Sequence, residues 1–263
     1  MGRTFSITVY PDYYTSKVYP KGQMKMFHDP KKAVAHGVEN LARHYQDTGL
    51  SLVYRSLLDA CVKEDVPIIS YCTWNDYQEG HHLAPEINHN FAPAILLNYY
   101  KKVWKKEPNP IDKDTILVFY KKYPAKCKPS HFNIHIHTKE STGIEGAEEG
   151  VEIVTLLTAP GEVFYNGKKV GEARKGMTVL KAAAEIGRVK VEVKRGGRTV
   201  TSVSPPEWIT DKPYRTDRLT YMYTNRFAEY YSKLFDPKTK PPVSDEYAED
   251  GEGQPNWKKR YGL

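Results

Sequence analysis

The sequence predicts an α/β region followed by an all-β region built as an antiparallel sandwich. Three observations carry that expectation. The first part of the chain runs strand, loop, helix, strand, loop, helix, an order that favours parallel strands. The character then changes at Pro108-Asn109-Pro110. Beyond it, short strands follow one another closely, with Asn166-Gly167 and Gly196-Gly197 between them, both hairpin signals.

The elements follow in order. Phe5-Ser6-Ile7-Thr8-Val9-Tyr10 is β-branched and aromatic and reads as a strand that Pro11 ends. Asp12, Tyr13 and Tyr14 open the next loop. Asp29 before Pro30 offers a capping side chain and a proline for the first helical position. Val34, Val38, Leu41 and Tyr45 recur behind it at helical spacing, and Gly49 closes the segment. A second helix is expected from about Ser51 to Lys63, with Leu52, Leu57, Leu58 and Cys61 as its apolar stripe. A buried strand from Pro67 to Thr73 comes next. A further helix spans Phe91 to Lys105, with Ile95, Leu96, Tyr99, Val103 and Trp104 inward.

Past residue 110 the expected strands are Ile116 to Tyr120, Phe132 to His137, Val151 to Leu157, Glu162 to Tyr165, Val189 to Lys194 and Arg198 to Val203. Arg226 to Leu234 has helical propensity. From Asp236 the chain is rich in Pro, Lys, Asp, Glu and Gly, so little core and partial disorder are expected there. The division that follows is 1–110, 111–205 and a C-terminal extension, 206–263, helical in part. No internal repeat is present.

Composition narrows the function classes. With 27% charged and 40% hydrophobic residues in 263, a folded chain is expected. No apolar run approaches the roughly 20 residues of a membrane span, so no membrane partner is expected. Met1-Gly2-Arg3-Thr4-Phe5 leads straight into a strand without a signal-peptide pattern. The net charge is +7, but the basic residues fall in short pairs such as Lys101-Lys102, Lys121-Lys122 and Lys168-Lys169, interleaved with acids. They read as solvated surface, and no nucleic-acid-binding motif accompanies them. Cys61, Cys72 and Cys127 are too few and too far apart for a disulfide framework, and the first two read as buried small hydrophobes.

The chemistry concentrates in one stretch, Tyr71-Cys72-Thr73-Trp74-Asn75-Asp76-Tyr77-Gln78-Glu79-Gly80-His81-His82-Leu83. Two carboxylates, three positions apart, follow an apolar strand, where α/β folds bind ligands. Such a pair suits general acid–base chemistry, in which one carboxyl gives a proton and the other takes one or attacks as a nucleophile. Trp74 and Tyr77 offer stacking faces and apolar walls that would raise the pKa of an acid. Asn75 suits a sugar hydroxyl, and one of His81 and His82 suits sugar hydrogen bonding. Neighbours in sequence point in divergent directions, so the two histidines are not expected to share a metal ion. Asp12, Tyr13 and Tyr14 follow the other strand end and are candidates for the same cleft. His135 and His137 share a strand face but show no third ligand, so with His131 they read as strand surface. No cofactor and no metal are expected.

"TWNDYQEG" resembles the corresponding loop of glycoside hydrolase family 71, the α-1,3-glucanases or mutanases. "TVYPDYY", "LAPEINHNFAPAILLNYYKKVWKK" and "PNPIDKDTILVFYKKYP" extend the likeness over about residues 5 to 235. The resemblance implies hydrolysis of an α-1,3-linked glucan with inversion at Asp76 and Glu79. Glu79 is assigned as general acid and Asp76 as general base. The resemblance also implies that the α/β part is the C-terminal fragment of a (β/α)8 barrel, with about six βα units not in this chain. A missing N-terminal part or a second chain would then complete it. A carbohydrate-binding remnant without catalysis, or a purely structural protein, are the other readings.

Overall fold

The structure is a computed structural model that describes residues 5–14, 19–20, 41–46, 48–77, 79–124, 136–140, 149–211 and 219–230, with the backbone alone at 19–20, 41–45 and 136–140. Among the described residues it is mostly antiparallel β-sheet with two helices. Strand β1 (Ser6–Val9) is followed by β2 (Tyr19–Pro20), β3 (Leu41–Gln46), α1 (Leu52–Lys63), β4 (Ile68–Tyr71) and α2 (Ala92–Trp104). Nine strands follow: β5 (Thr115–Lys121), β6 (Ile136–Glu140), β7 (Val151–Leu157), β8 (Gly161–Tyr165), β9 (Lys168–Ala173), β10 (Gly176–Ala182), β11 (Val191–Arg195), β12 (Arg198–Val203) and β13 (Thr220–Thr224).

β1 and β4 pair in parallel, with Val9 opposite Tyr71, and α1 lies between them in sequence. Two four-stranded sheets, β10-β7-β5-β13 and β12-β11-β8-β9, hold the antiparallel part. Alternation along the strands explains why β5 and β7 are buried along their whole length. Ile116, Val118, Val151 and Ile153 face one core, shared with Val163, Tyr165, Val191 and Val193 of the second sheet. Leu117, Phe119 and Val154 face the other, where Tyr54, Leu58, Leu96, Tyr100 and Val9 cover them. The first sheet is thus a middle layer, with a sheet on one side and the helices on the other.

Polar ties fix α1 to that layer. Glu152, fully buried on β7, accepts the Ser51 N–H at 3.2 Å, the Ser51 hydroxyl and the Arg55 guanidinium at 3.1 Å. An anion at the first turn of α1 also meets the positive end of the helix dipole. Tyr54 donates to the Pro93 carbonyl at 3.1 Å, Tyr100 to Asp59 at 2.7 Å and the Trp104 indole to the Val66 carbonyl at 2.9 Å. These bonds lock α1, α2 and the start of β4 together.

Both hairpin signals are turns between paired strands. Asn166 and Gly167 sit at φ 46° and 82°, Gly196 and Gly197 at 55° and 76°, the left-handed values that two-residue hairpin turns require.

Several expectations need correction. Leu41 and Tyr45 belong to β3, not to a helix; β3 pairs antiparallel with β2 and parallel with β6. Helical spacing could not register these long-range partners, and 21–40 lies outside the described residues. The buried stripe of α1 is Val53, Tyr54, Leu58 and Cys61, rotated from the expected Leu52 and Leu57 because Tyr54 reaches between α2 and β4. On α2, Ala92, Pro93, Leu96 and Tyr100 are the buried residues, while Ile95, Tyr99, Val103 and Trp104 are only partly so. β4 is not a buried strand: Ile68 is half exposed, because the parallel sheet has two strands among the described residues. Cys72 is likewise only partly buried. Lys121 is not solvated surface but buried, with its ammonium on the Thr220 hydroxyl at 3.0 Å. Lys122 pairs with Glu207 at 2.6 Å.

β10 and β13 had no sequence expectation. Thr220–Thr224, within the segment set apart as an extension, completes the middle sheet against β5. A helical turn begins at 228–230. Cys127, His131, His135, Phe132 to Ile134, the side chain of His137, residues 231–234 and the tail from Asp236 lie outside what is described. Among the described residues no helix is long and apolar enough to cross a membrane.

Candidate active site

The loop that follows β4 is tied at its neck. The Cys72 N–H donates to the Val9 carbonyl at 3.1 Å, continuing the parallel ladder by one residue. The Thr73 N–H donates to the His81 carbonyl at 3.0 Å, and the Leu83 and Ala84 N–H groups return to the carbonyls of Thr73 and Trp74. Inside the neck, the Asp76 N–H caps on the Thr73 hydroxyl at 3.1 Å and the Glu79 N–H closes a turn on the Asp76 carbonyl at 3.2 Å. The Glu79 carbonyl accepts the Tyr14 N–H at 3.0 Å, which binds the loop to the segment after β1. Gly80 makes that approach possible: its φ is +69°, and a Cβ there would stand 3.1 Å from the Tyr14 nitrogen.

This frame turns both carboxylates toward one imidazole. His81 Nε2 lies 3.2 Å from a Glu79 oxygen and 3.7 Å from an Asp76 oxygen. Its Nδ1 sits 3.4 Å from the Cys72 sulfur, and its ring meets the edge of Tyr13 at 6.0 Å. One oxygen of each carboxylate and a nitrogen of His81 are all within 4.8 Å of one another. Trp74, 64% exposed, and Tyr77, 53% exposed, stand beside the pair, with the Tyr77 ring packed against His82 on its inner side. The arrangement sets two carboxylates around one imidazole, with stacking surface beside them.

His82 points the other way, beneath the loop. Its side chain is 2% exposed as a residue, under Tyr77 and stacked on His89 with ring centroids 4.6 Å apart. Its Nε2 lies 3.2 Å from Glu86, whose carboxylate also accepts the Asn88 and His89 N–H groups. Burial pulls the His82 imidazole below its usual value against the opposing effect of Glu86. For Glu86, burial pushes up, but the His82 contact and the backbone donors leave it lower than usual. Asp12, 1% exposed, accepts the Tyr13 and Thr220 N–H groups at 3.0 and 2.6 Å and the Thr48 hydroxyl at 3.1 Å. Burial alone would raise the Asp12 carboxyl; Lys121, His89 and the Thr220 N–H outweigh it and hold it well below the carboxylate range.

A family model described as glycosyl hydrolase family 71 matches residues 45–225, more than half of the chain. This protein belongs to glycosyl hydrolase family 71. No curated protein and no solved structure matches it. Membership in family 71 supports a glycosidase function and a polysaccharide as the class of substrate.

Within this family 71 chain, the structure brings Asp76, Glu79, His81 and Tyr13 together, with Trp74, Asn75 and Tyr77 on the exposed rim. It places Asp12, Tyr14 and His82 below them, buried. Sequence reasoning did not single out Glu86 and His89. The signal available was their spacing from His82, four and then three residues on, in a stretch read only as the approach to a helix.

Proposed function

We propose that this chain hydrolyses α-1,3-linked glucan at Asp76 and Glu79. Glu79, as general acid, protonates the glycosidic oxygen as the bond to the anomeric carbon breaks. Asp76, as general base, takes a proton from the attacking water. Trp74, Asn75, Tyr77 and Tyr13 contact the sugar rings, and His81 spans the two carboxylates. Asp12, Tyr14 and His82 support the loop from below. The convergence of both carboxylates on His81 carries this reading.

Family resemblance favours inversion. The spacing favours a second reading, retention, because oxygens within 4.8 Å are closer than the about 6.5–9.5 Å of inverting pairs and nearer the about 5–5.5 Å of retaining ones. Under inversion, Asp76 must swing off His81 to admit a water. Proton NMR of the first sugar released from an α-1,3-glucan decides: a β-anomer supports inversion, an α-anomer retention. No hydrolysis, with retention of the chain on insoluble glucan, would support the carbohydrate-binding remnant instead.

We also infer that β1, α1, β4 and α2 are the last βα units of a (β/α)8 barrel, forming a unit of about residues 1–110 ahead of a sandwich at 111–205 and an extension at 206–263. The parallel β1–β4 pair with α1 between supports this. Further strands, from the rest of such a barrel or a second chain, would cover the exposed Phe5 and Ile68.

A further inference from the structure

We propose that His82, Glu86 and His89 form a site for a divalent cation of the zinc class, separate from the carboxylate pair. One ring nitrogen from each histidine and one Glu86 oxygen lie within 4.8 Å of one another. Ligand atoms on a single tetrahedral ion stand about 3.4 Å apart, given bonds of roughly 2.0–2.2 Å. Closing the site therefore takes rotation of the two stacked imidazoles, so that their in-plane lone pairs converge on one ion.

The independent observation is that three of the four ring nitrogens of His82 and His89 lack a hydrogen-bond partner among the described residues. His89 is 0% exposed, yet neither of its ring nitrogens has a hydrogen-bond partner among the described residues; nor does Nδ1 of His82. Buried polar atoms are normally satisfied, and each exception calls for a cause. An ion that accepts imidazole lone pairs supplies one.

The surroundings fit. Glu86 is aimed by the Asn88 N–H at 2.8 Å and the His89 N–H at 2.5 Å, as outer hydrogen bonds orient a ligating carboxylate. Asn88 is fixed in turn by the Met222 N–H on its carbonyl at 2.7 Å, so the segment is anchored to β13. Asp12 lies 3.9 Å from His89 Nε2 and can orient that ring or complete the shell. Lys121 compensates Asp12, while Glu86 has no ammonium or guanidinium against it among the described residues. Two imidazoles and a carboxylate suit zinc better than calcium or magnesium, which prefer oxygen ligands. The ion would clamp the downstream end of the loop that carries Asp76 and Glu79 onto the sandwich.

The test uses the full chain, stripped with a chelator and titrated with Zn²⁺ and with Co²⁺ as an optical probe. The expected result is saturable uptake of one equivalent, visible Co²⁺ bands of a low-coordinate site, and a higher unfolding temperature with Zn²⁺. Glu86→Gln and His89→Ala, each checked for fold by circular dichroism, should weaken uptake by at least about tenfold, the smallest loss usual for outer-shell changes. Glu79→Gln should leave uptake unchanged. Absence of saturable uptake by the wild type overturns the proposal, as does uptake that survives both Glu86→Gln and His89→Ala. Uptake lost in Glu79→Gln instead would place the ion at the carboxylate pair and overturn it too.

Discussion

Adjacent histidines, His81 and His82, head two clusters that differ in nearly every physical respect. His81 faces an open loop, where Asp76 and Glu79 have water on one side and exposed aromatic rings beside them. His82 faces a closed interior, stacked on His89, where backbone donors hold the carboxylates of Glu86 and Asp12. Groups of the same kinds serve different ends in the two settings. In the open cluster the carboxylates remain accessible, as the proposed acid and base require. In the closed one each charge is committed to structure, and its loss is felt as stability. Substitutions can break or sharpen this contrast.

The largest effect is expected at the open cluster, on rate alone. Glu79→Gln and Asp76→Asn should each lower kcat by about 10²–10⁴-fold, the usual worth of a general acid or base, with unfolding midpoints near wild type. Activity of Glu79→Gln on an aryl glycoside with a good leaving group should be largely restored, while Asp76→Asn should gain nothing. The opposite pattern would exchange their roles.

Asp12→Ala should show the reverse signature. It strips three donors of their acceptor and removes the buried charge that Lys121 balances, so a loss of about 3–5 kcal/mol is expected in urea unfolding. A smaller loss than about 1 kcal/mol would mean that Asp12 is not the strut described here.

Trp74→Ala and Tyr77→Ala lie between these cases. Trp74 is exposed, so its loss should change stability by less than about 0.5 kcal/mol; Tyr77 covers the buried His82, so its loss should cost more. Loss of a ring that stacks on a sugar should raise KM by up to about tenfold, from stacking worth roughly 0.5–1.5 kcal/mol.

The smallest effect is expected far from either cluster. Asp114 is held down to about 2 by the two hydrogen bonds from Arg195 and by the Thr158 donors. A depressed carboxyl stabilises the fold above its unfolded value of about 3.9 and loses that contribution as pH falls through its folded value. The stability gap between wild type and Asp114→Asn should therefore shrink between about pH 4 and pH 2. Solvent exposure keeps the gap itself to about 1 kcal/mol or less.

The contrast also marks what was legible in the sequence. The hairpins at Asn166-Gly167 and Gly196-Gly197 were, because turn geometry is local. So was the carboxylate loop, because Asp76 and Glu79 break an apolar pattern where a strand ends. The strand identity of Leu41–Gln46 was not, since pairing with Ile136–Glu140 is invisible to spacing within one segment. The same holds for Thr220–Thr224, whose partner lies about a hundred residues upstream in β5. Asp12 looked like a cleft residue because its place after β1 is local information. Its burial depends on Thr48, Thr220 and Lys121, which no short window contains.

The most direct test of the central claim compares reducing-end release from α-1,3-glucan by the wild type and by the Asp76→Asn/Glu79→Gln double variant, matched for fold by circular dichroism. The account predicts measurable hydrolysis by the wild type and none above background by the variant. Hydrolysis that persists in the double variant would contradict it.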